Sequence, residues 1–224
     1  MSAKNRGAKV TPFEAYNTPS WCVRAFLNDL HKNGINLSGS ILEPCSGQFA
    51  ITLEMLHYFD DNWEELVTYI NCIDIQDFSH EEGNLPQSAP VFYTQADYLT
   101  ASKTQEYDFI ITNPPFSLAV PFLEKAFKEV KEGGMVAMLL PISFQGSGER
   151  EQFHKEHPCC HRFLPRRPSF GLNKNEKPGS DSMTYSWMVW SSHPAYKPNT
   201  WELLEVEYGR RSKRKLLVRS NPTG

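Results

Sequence analysis

The sequence predicts an α/β fold built on a doubly wound, mostly parallel sheet with antiparallel edge strands at its C-terminal end. Up to residue 140, short apolar runs typical of strands alternate with segments of helical periodicity. Beyond residue 140, strand-like runs follow one another without intervening helices. The chain has 224 residues, 40% of them hydrophobic, which suits one substantial core. We therefore expect a single domain over residues 1–224.

The first half of the chain contains two predicted helices and four predicted strands. Thr18 is expected to cap the first helix, with Pro19 in its first turn and its end near Asn33-Gly34. A second helix is expected over residues 50–59. Apolar and β-branched runs predict strands at Ser40-Ile41-Leu42, Tyr69 to Ile73, Val91 to Tyr93 and Tyr107 to Ile111.

The second half predicts one more helix and then a run of strands. Ser117 is expected to cap this helix, and Gly133-Gly134 is expected to stop it. A buried strand is predicted from Met135 to Leu140. Edge strands are predicted around Phe163, from Met183 to Trp190 and from Leu203 to Tyr208, with a loop over residues 171–182.

The charge of the chain is unevenly distributed. The formal net charge is −3, which alone does not suggest a partner with a polyanionic backbone. Six basic and no acidic residues lie within residues 210–219, namely Arg210, Arg211, Lys213, Arg214, Lys215 and Arg219. Without those six, 17 of the 23 basic residues remain against 26 acidic ones, so residues 1–209 carry −9. We expect a basic hairpin or tail over residues 203–224 on an acidic body.

Cysteine usage and hydropathy indicate the compartment. The five cysteines are scattered and include no Cys-x-x-Cys pair, which argues against a disulfide framework. No apolar run is long enough to span a membrane, and the polar, basic N-terminus lacks the apolar stretch of a signal peptide. A cytoplasmic protein without a membrane partner is the expectation.

The tetrapeptide Asn113-Pro114-Pro115-Phe116 is the strongest candidate for a site of chemistry. It follows a predicted strand directly, and open α/β sheets bind ligands at the carboxyl ends of parallel strands. The Asn113 amide oxygen and the Pro114 carbonyl can each accept an N–H, while Phe116 offers a face to a flat ring. Amines on aromatic rings are poor nucleophiles because their lone pair is delocalised. The pattern indicates either a site that orients such an amine or a turn that merely ends a strand.

This tetrapeptide resembles the catalytic motif of S-adenosylmethionine-dependent methyltransferases, specifically the adenine-N6 DNA methyltransferases whose cofactor loop precedes that motif. The resemblance covers residues 14–141 and implies a Rossmann-like methyltransferase sheet. The segment Ile41-Leu42-Glu43-Pro44-Cys45-Ser46-Gly47 is similar to the family's first cofactor motif. The similarity implies that Glu43 faces the cofactor's amino group and that Gly47, which has no side chain, lets the loop backbone approach the cofactor. The family often has a second glycine where this chain has Phe49, which leaves the shape of the loop open.

Two further motifs follow in the family's order. The segment Ile73-Asp74-Ile75 is similar to the second motif, which implies that Asp74 holds the ribose hydroxyls and Ile75 packs on adenine. The segment Gln95-Ala96-Asp97-Tyr98-Leu99 is similar to the third, which implies that Asp97 takes the adenine amine, with Tyr98 beside it. Both acids could instead be ordinary turn residues.

The N-terminal part of the chain is similar to another element of the same family. Tyr16, Thr18 and Pro19 resemble the motif that folds back over the methionine end of the cofactor, so residues 10–34 are expected to cover it. Tyr16 could alternatively be a core aromatic, and Thr18-Pro19 starts a helix well whatever the function.

The segment 163–170 combines aromatic side chains with arginines. In the enzymes that this chain resembles, a C-terminal aromatic stacks on the extruded base, and Phe163 or Phe170 could serve. Arg166 and Arg167 would contact the substrate, although both aromatics could also be core residues. Vicinal cysteines cannot easily share a tetrahedral centre, so we interpret residues 154–161 as a surface helix running into a strand and expect no metal.

The resemblance implies methyl transfer from S-adenosylmethionine to adenine N6, with double-stranded DNA as the expected partner and base flipping as the route. Little chain remains for target recognition, so a short or relaxed recognition sequence is expected, as in the compact phage and mobile-element enzymes that the chain resembles. Three alternatives stay open: an RNA base amine, a protein glutamine amide, and a catalytically silent DNA-binding module, for which Phe49 would be the marker.

Overall fold

The computed structural model describes residues 17–62, 67–103, 105–170 and 182–206. Its α-helices are α1 (Ser20–Lys32), α2 (Ala50–Asn62), α3 (Ser79–Glu82), α4 (Ala119–Glu129) and α5 (Glu151–Glu156). Its strands are β1 (Gly39–Glu43), β2 (Val67–Asp74), β3 (Val91–Gln95), β4 (Tyr107–Thr112), β5 (Val130–Pro141), β6 (Cys160–Phe163), β7 (Tyr185–Ser191) and β8 (Trp201–Leu203).

The eight strands form one sheet in the order β3-β2-β1-β4-β5-β7-β6-β8. Neighbouring strands from β3 to β5 are parallel, whereas β7 runs antiparallel to both β5 and β6. The strand order reverses at β1, with β2 on one side of it and β4 on the other. This is the switch point at which doubly wound sheets open a crevice. The predicted fold class is confirmed.

Both faces of the sheet are buried, as the continuous apolar run in β5 predicts. Alternate residues of β5 enter opposite cores because successive side chains of a strand point to opposite faces. Met135, Ala137 and Leu139 join the core that includes residues of α1 and α2. Val136, Met138 and Leu140 join the core that includes residues of α4. The sheet is thus covered by helices on both faces, which leaves its strand ends to form a site.

Helix α1 is fixed to the C-terminal strands by buried polar contacts. The Arg162 guanidinium of β6, only 2% exposed, donates Nε–H to Asp29 Oδ2 of α1 at 2.8 Å. The Tyr196 hydroxyl donates to the same carboxylate oxygen at 2.7 Å. Trp187 of β7 donates its indole N–H to the Cys22 carbonyl at 3.0 Å. Because these groups are buried together, α1 is held rigidly against β6 and β7.

Several predicted boundaries are wrong. Pro19 itself is the N-cap of α1, with the extended ψ of 136° expected before a helix, so Thr18 does not cap it. Leu118 is the N-cap of α4, since a 3₁₀ turn over Phe116–Leu118 includes Ser117. The last edge strand is Trp201–Leu203 rather than Leu203 to Tyr208, of which residues 207 and 208 lie outside the described residues.

The end of α4 also differs from the prediction. The helix ends at Glu129 and the chain enters β5 directly at Val130, so Gly133 and Gly134 lie within the strand. A Cβ on Gly134 would meet the Asp108 carbonyl oxygen at 2.7 Å, so glycine allows the two backbones to approach closely. The glycine pair that was expected to stop the helix instead serves strand pairing.

The predicted helix running into a strand at residues 154–161 is confirmed by α5 and β6. Cys159 and Cys160 are both reduced and buried. Within the ranges that the structure describes, no helix has the length and apolarity to cross a membrane, and no cluster of three His, Cys, Asp or Glu side chains could hold a metal ion.

Candidate active site

A cavity of about 530 Å³ opens at the carboxyl edge of the sheet. Strands β1, β2 and β4 end there at Glu43, Asp74 and Thr112, and their parallel pairing brings the residues that follow to one edge. The predicted site residues that line the cavity are Thr18, Glu43, Gly47, Asp74, Ile75, Asp97, Tyr98, Asn113, Pro115 and Phe170. Residues far apart in sequence are therefore gathered at the switch point of the sheet.

The loop after β1 contains two residues, Gly47 and Phe49, in the left-handed backbone region that usually favours glycine. Phe49 adopts φ 59° and Gly47 adopts φ 50°, both in the left-handed region. The Phe49 side chain is buried and packs edge-on against the Tyr93 ring, with centroids 5.3 Å apart. A left-handed conformation costs an ordinary residue about 1–2 kcal/mol, and burial of the ring offsets that cost. Phe49 is thus held in a left-handed conformation with its ring in the core.

Glu43 is a buried carboxyl at the floor of the cavity. Its side chain accepts hydrogen bonds from the Thr52 backbone N–H at 3.0 Å and from the Thr52 hydroxyl. Burial, reinforced by the negative charge of Asp74, raises the pKa of Glu43 to about 8, although the Thr52 hydrogen bonds oppose the shift. A buried carboxyl of this kind is poised to take up a cationic partner.

Asp74 links the ends of two strands across the cavity. One carboxylate oxygen accepts the Gly47 N–H at 2.8 Å and the other accepts the Gln76 N–H at 2.9 Å. Each oxygen retains a second lone pair for a ligand hydroxyl. Ile75 lies beside it and is 48% exposed although it is a large apolar residue, so it offers an open face to a ligand.

Asp97 and Tyr98 line the cavity in the turn after β3. Asp97 Oδ1 accepts the Leu99 N–H at 3.0 Å, so the carboxylate also builds its own turn. The Tyr98 hydroxyl donates to Glu129 Oε2 at 2.9 Å, while burial raises the pKa of this phenol. Tyr98 is therefore held by α4 and contributes its ring rather than its hydroxyl to the cavity wall.

Asn113 is the first residue beyond β4 and its amide is held at one end only. Its Nδ2 donates to the Thr18 hydroxyl oxygen at 3.0 Å. Its Oδ1 is buried and has no hydrogen-bond partner among the residues that the structure describes. An unpaired buried amide oxygen costs free energy unless a ligand completes it. The arrangement provides a hydrogen-bond acceptor at the cavity.

The remaining residues of the tetrapeptide differ in position. Pro115 lines the cavity, whereas Pro114 and Phe116 are not part of its lining. The Phe116 ring packs against Tyr185, with centroids 5.7 Å apart, and Phe170 packs edge-on against the same Tyr185 at 5.0 Å. Of these two phenylalanines, only Phe170 reaches the cavity, so it is the one placed to contact a ligand there.

Phe163 lies elsewhere. Its ring stacks on His161 at 5.5 Å and leans on Trp201 at 6.0 Å, towards the edge strand β8. Arg166 and Arg167 are exposed, and the Arg166 guanidinium lies 4.3 Å from the Trp21 ring centroid at the start of α1. Tyr16 and the basic strip, residues 210–219, lie outside the described residues.

Sequence reasoning missed several residues of the cavity wall. Among them are Asn17, Gln48, Gln76, Phe78, Leu118 and Phe122. The side chains of Asn17 and Gln48 hydrogen-bond at 2.6 Å and so join the N-terminal segment to the loop after β1. The available sequence signal was proximity to a motif: Gln48 and Gln76 directly follow predicted site residues, and Leu118 lies two residues beyond the tetrapeptide.

Comparison with known proteins adds evidence on the fold. No protein-family model and no curated protein sequence matches this chain. A solved structure from Listeria monocytogenes, assigned as a class I S-adenosylmethionine-dependent methyltransferase, superposes with a TM-score of 0.62 at 16% identity. The superposition covers 84% of this chain and 65% of the Listeria chain. The chain has the class I methyltransferase fold.

A second solved structure, assigned as an RNA methyltransferase from Pyrococcus horikoshii, superposes with a TM-score of 0.60 at 18% identity. It covers 82% of this chain and 92% of the Pyrococcus chain. Both superpositions support the same overall fold, on which the side chains described above are arranged.

Proposed function

We propose that this protein transfers a methyl group from S-adenosylmethionine to an exocyclic amino nitrogen, and that the acceptor is N6 of adenine in DNA. The single observation that carries the proposal is the Asn113 amide, whose buried Oδ1 has no partner among the described residues and lies at a cavity on the carboxyl edge of the sheet. A hydrogen-bond acceptor in this position suits an N–H donor of the substrate.

The polar groups of the cavity fit the cofactor. Glu43 would accept from its ammonium, and Asp74 has a spare lone pair on each oxygen for the ribose hydroxyls. The exposed face of Ile75 and the Asp97 carboxylate would take the adenine ring and its amine. The Ser46 hydroxyl oxygen is buried without a partner in the described ranges, as expected for a group that a ligand completes.

The chain's own residues would prepare the acceptor amine. The bound cofactor supplies an electrophilic methyl group. Asn113 Oδ1 would accept one N–H and, as the resemblance implies, the Pro114 carbonyl would accept the other, although Pro114 is not part of the cavity lining; these bonds turn the nitrogen lone pair out of conjugation and towards the methyl donor. No general base is needed, because the methylated nitrogen readily loses its proton. Phe170, held by Tyr185, would pack against the flat base.

Support for DNA comes from the sequence motifs. The order of the motifs and the N-terminal element with Tyr16, Thr18 and Pro19 resemble the DNA subgroup, and the basic residues 210–219 favour a polyanionic partner. RNA is the second candidate because the Pyrococcus structure, assigned as an RNA methyltransferase, superposes over 92% of its length.

The test is to identify the methylated unit. The protein is incubated with isotope-labelled S-adenosylmethionine and, separately, unmethylated duplex DNA, single-stranded DNA, RNA transcripts and a protein extract. The products are digested and resolved by mass spectrometry. We expect N6-methyldeoxyadenosine from duplex DNA. Label in an RNA nucleoside or in glutamine would show that the acceptor is not DNA, while methyl transfer to an amino or amide nitrogen would still hold. Cofactor binding without transfer to any acceptor would support the catalytically silent DNA-binding module.

Asn113→Ala is the matched control for that assay. It removes the side-chain acceptor and leaves the Glu43 and Asp74 contacts intact, so turnover should fall by orders of magnitude while cofactor affinity changes far less. Full activity of Asn113→Ala would refute the assignment of the site.

The basic strip, residues 210–219, provides an independent test of nucleic-acid binding. If it contacts phosphates of duplex DNA, the logarithm of affinity should fall with the logarithm of salt concentration by about 0.9 per contact. Replacing Arg210, Arg211, Lys213 and Arg214 by glutamine should flatten that slope without affecting cofactor binding. An unchanged slope would identify the strip as a solvated tail.

A further inference from the structure

We propose that Thr18 is a positioning residue for the Asn113 amide, rather than a contact to the cofactor. The inference rests on the proposed function and assigns a new role within its site. Thr18 directly precedes the N-cap of α1, 95 residues from Asn113, and the two side chains meet only through the fold.

The geometry makes Thr18 a fixed hydrogen-bond partner. The Thr18 side chain is buried, with the residue only 5% exposed, and its hydroxyl oxygen accepts Asn113 Nδ2–H at 3.0 Å. The amide plane is thereby fixed about its side-chain torsion. With Nδ2 engaged by Thr18, Oδ1 at the opposite end of the amide is the atom that finds no partner within the described part of the chain.

Orientation matters because the two ends of an amide have opposite hydrogen-bonding character. Oδ1 accepts the N–H of an acceptor amine, whereas Nδ2 would oppose one donor with another. An unanchored amide would divide its time between orientations, and only the molecules with Oδ1 directed at the amine could react. Fixing the acceptor before the substrate arrives is the preorganisation that makes hydrogen bonding effective in catalysis.

Thr18 can serve as an anchor because the element that follows it is held rigidly. The Cys22 N–H donates to the Pro19 carbonyl at 2.9 Å in the first turn of α1. The Trp187 indole donates to the Cys22 carbonyl, and Arg162 engages Asp29 further along the helix. On the other side, Asn17 hydrogen-bonds to Gln48 in the loop after β1. Thr18 therefore lies between two fixed points.

The experiment compares Thr18→Val with Thr18→Ser in the full chain, using the nucleic acid that the wild type methylates. Valine removes the hydroxyl at nearly constant shape, and serine retains it. We expect kcat to fall about tenfold in Thr18→Val, the effect of losing one hydrogen bond, and to return to within about twofold in Thr18→Ser. The dissociation constant of S-adenosylmethionine, measured by calorimetry, should stay unchanged in both.

A second measurement keeps the inference testable if Thr18→Val proves unstable. In an Asn113→Asp background both oxygens of the carboxylate are acceptors, so orientation no longer matters. There, Thr18→Ser and Thr18→Ala should give the same kcat within about twofold, whereas in the wild-type background alanine should be about tenfold slower.

The possible failures are distinguishable. Weaker cofactor binding with an unchanged kcat in Thr18→Val would assign Thr18 to the cofactor and overturn the inference. Unchanged kcat and unchanged affinity would overturn it as well. By contrast, a wild-type protein that methylates no acceptor at all would refute the proposed function itself.

Discussion

Replacing Glu43 by glutamine should change how the stability of the protein depends on pH. In the unfolded chain this carboxyl titrates near 4.5, and in the folded protein burial raises its pKa to about 8. Between those values the folded state retains a proton that the unfolded state has released. The wild type is therefore most stable, relative to Glu43→Gln, below the unfolded pKa, and it loses that advantage as the pH rises towards the folded pKa.

The magnitude follows from the slope of this linkage. One bound proton corresponds to about 1.4 kcal/mol per pH unit, so between about pH 5.5 and about pH 7.5 the wild type should lose about 3 kcal/mol relative to Glu43→Gln. The assay is urea unfolding of both proteins at each pH. Other titrating groups are common to the two proteins and cancel in the difference. If the unfolding free energies of the two proteins changed in parallel with pH, Glu43 would not be a buried, protonated carboxyl.

The same carboxyl links cofactor binding to pH. If Glu43 accepts from the ammonium of S-adenosylmethionine, it must become a carboxylate, so binding at about pH 7 should release up to about one proton. Calorimetry in two buffers of different ionisation enthalpy measures that number directly. Proton release should disappear in Glu43→Gln, and equal release by both proteins would remove Glu43 from the ammonium site.

Three further predictions test the site and the fold. Asp74→Ala should weaken binding of S-adenosylmethionine by about 1.5–3 kcal/mol in calorimetry, because the ribose loses a charged acceptor; unchanged affinity would leave Asp74 a turn residue. Phe49→Ala should cost about 3–5 kcal/mol of unfolding free energy, and Phe49→Gly about 1 kcal/mol less, because glycine relieves the left-handed strain. The opposite order would refute that strain. Asp29→Ala should cost about 3–5 kcal/mol because the buried Arg162 loses its carboxylate partner at 2.8 Å and retains the exposed Glu202 carboxylate at 3.7 Å, whereas Glu205→Ala, at an exposed ion pair, should be nearly neutral. Equal losses of unfolding free energy in Asp29→Ala and Glu205→Ala would contradict the conclusion that the buried ion pair stabilises the fold more than the exposed one.

The sheet was predictable because local patterns determine most of it. The run 107–111 became β4, and Met135 to Leu140 lies inside β5, since period and burial act over a few residues. The ends of elements were not predictable to the same extent. Gly133 and Gly134 were expected to stop α4, yet they serve close pairing of β5 with β4, a contact that no local rule contains.

The positions of the candidate site residues were partly predictable. Motifs that end parallel strands must meet at one edge, and Glu43, Asp74 and Asn113 do so at the cavity. What the sequence could not reveal are contacts between distant segments. The Thr18–Asn113 hydrogen bond and the choice of Phe170 over Phe163 depend on how α1 and the C-terminal strands pack. Their roles in binding and catalysis stay predictions.

The attachment of α1 has a consequence for synthesis of the protein on the ribosome. The helix is translated early, but its buried partners Arg162, Trp187 and Tyr196 follow 133, 165 and 167 residues after the positions they contact. Contacts of such long sequence separation form slowly and only after the intervening chain exists. A nascent chain that stops short of Arg162 lacks all three of these partners, so the polar contacts that hold α1, and with it Thr18, against the C-terminal strands cannot yet form. Maturation of the site therefore waits for the last strands to emerge.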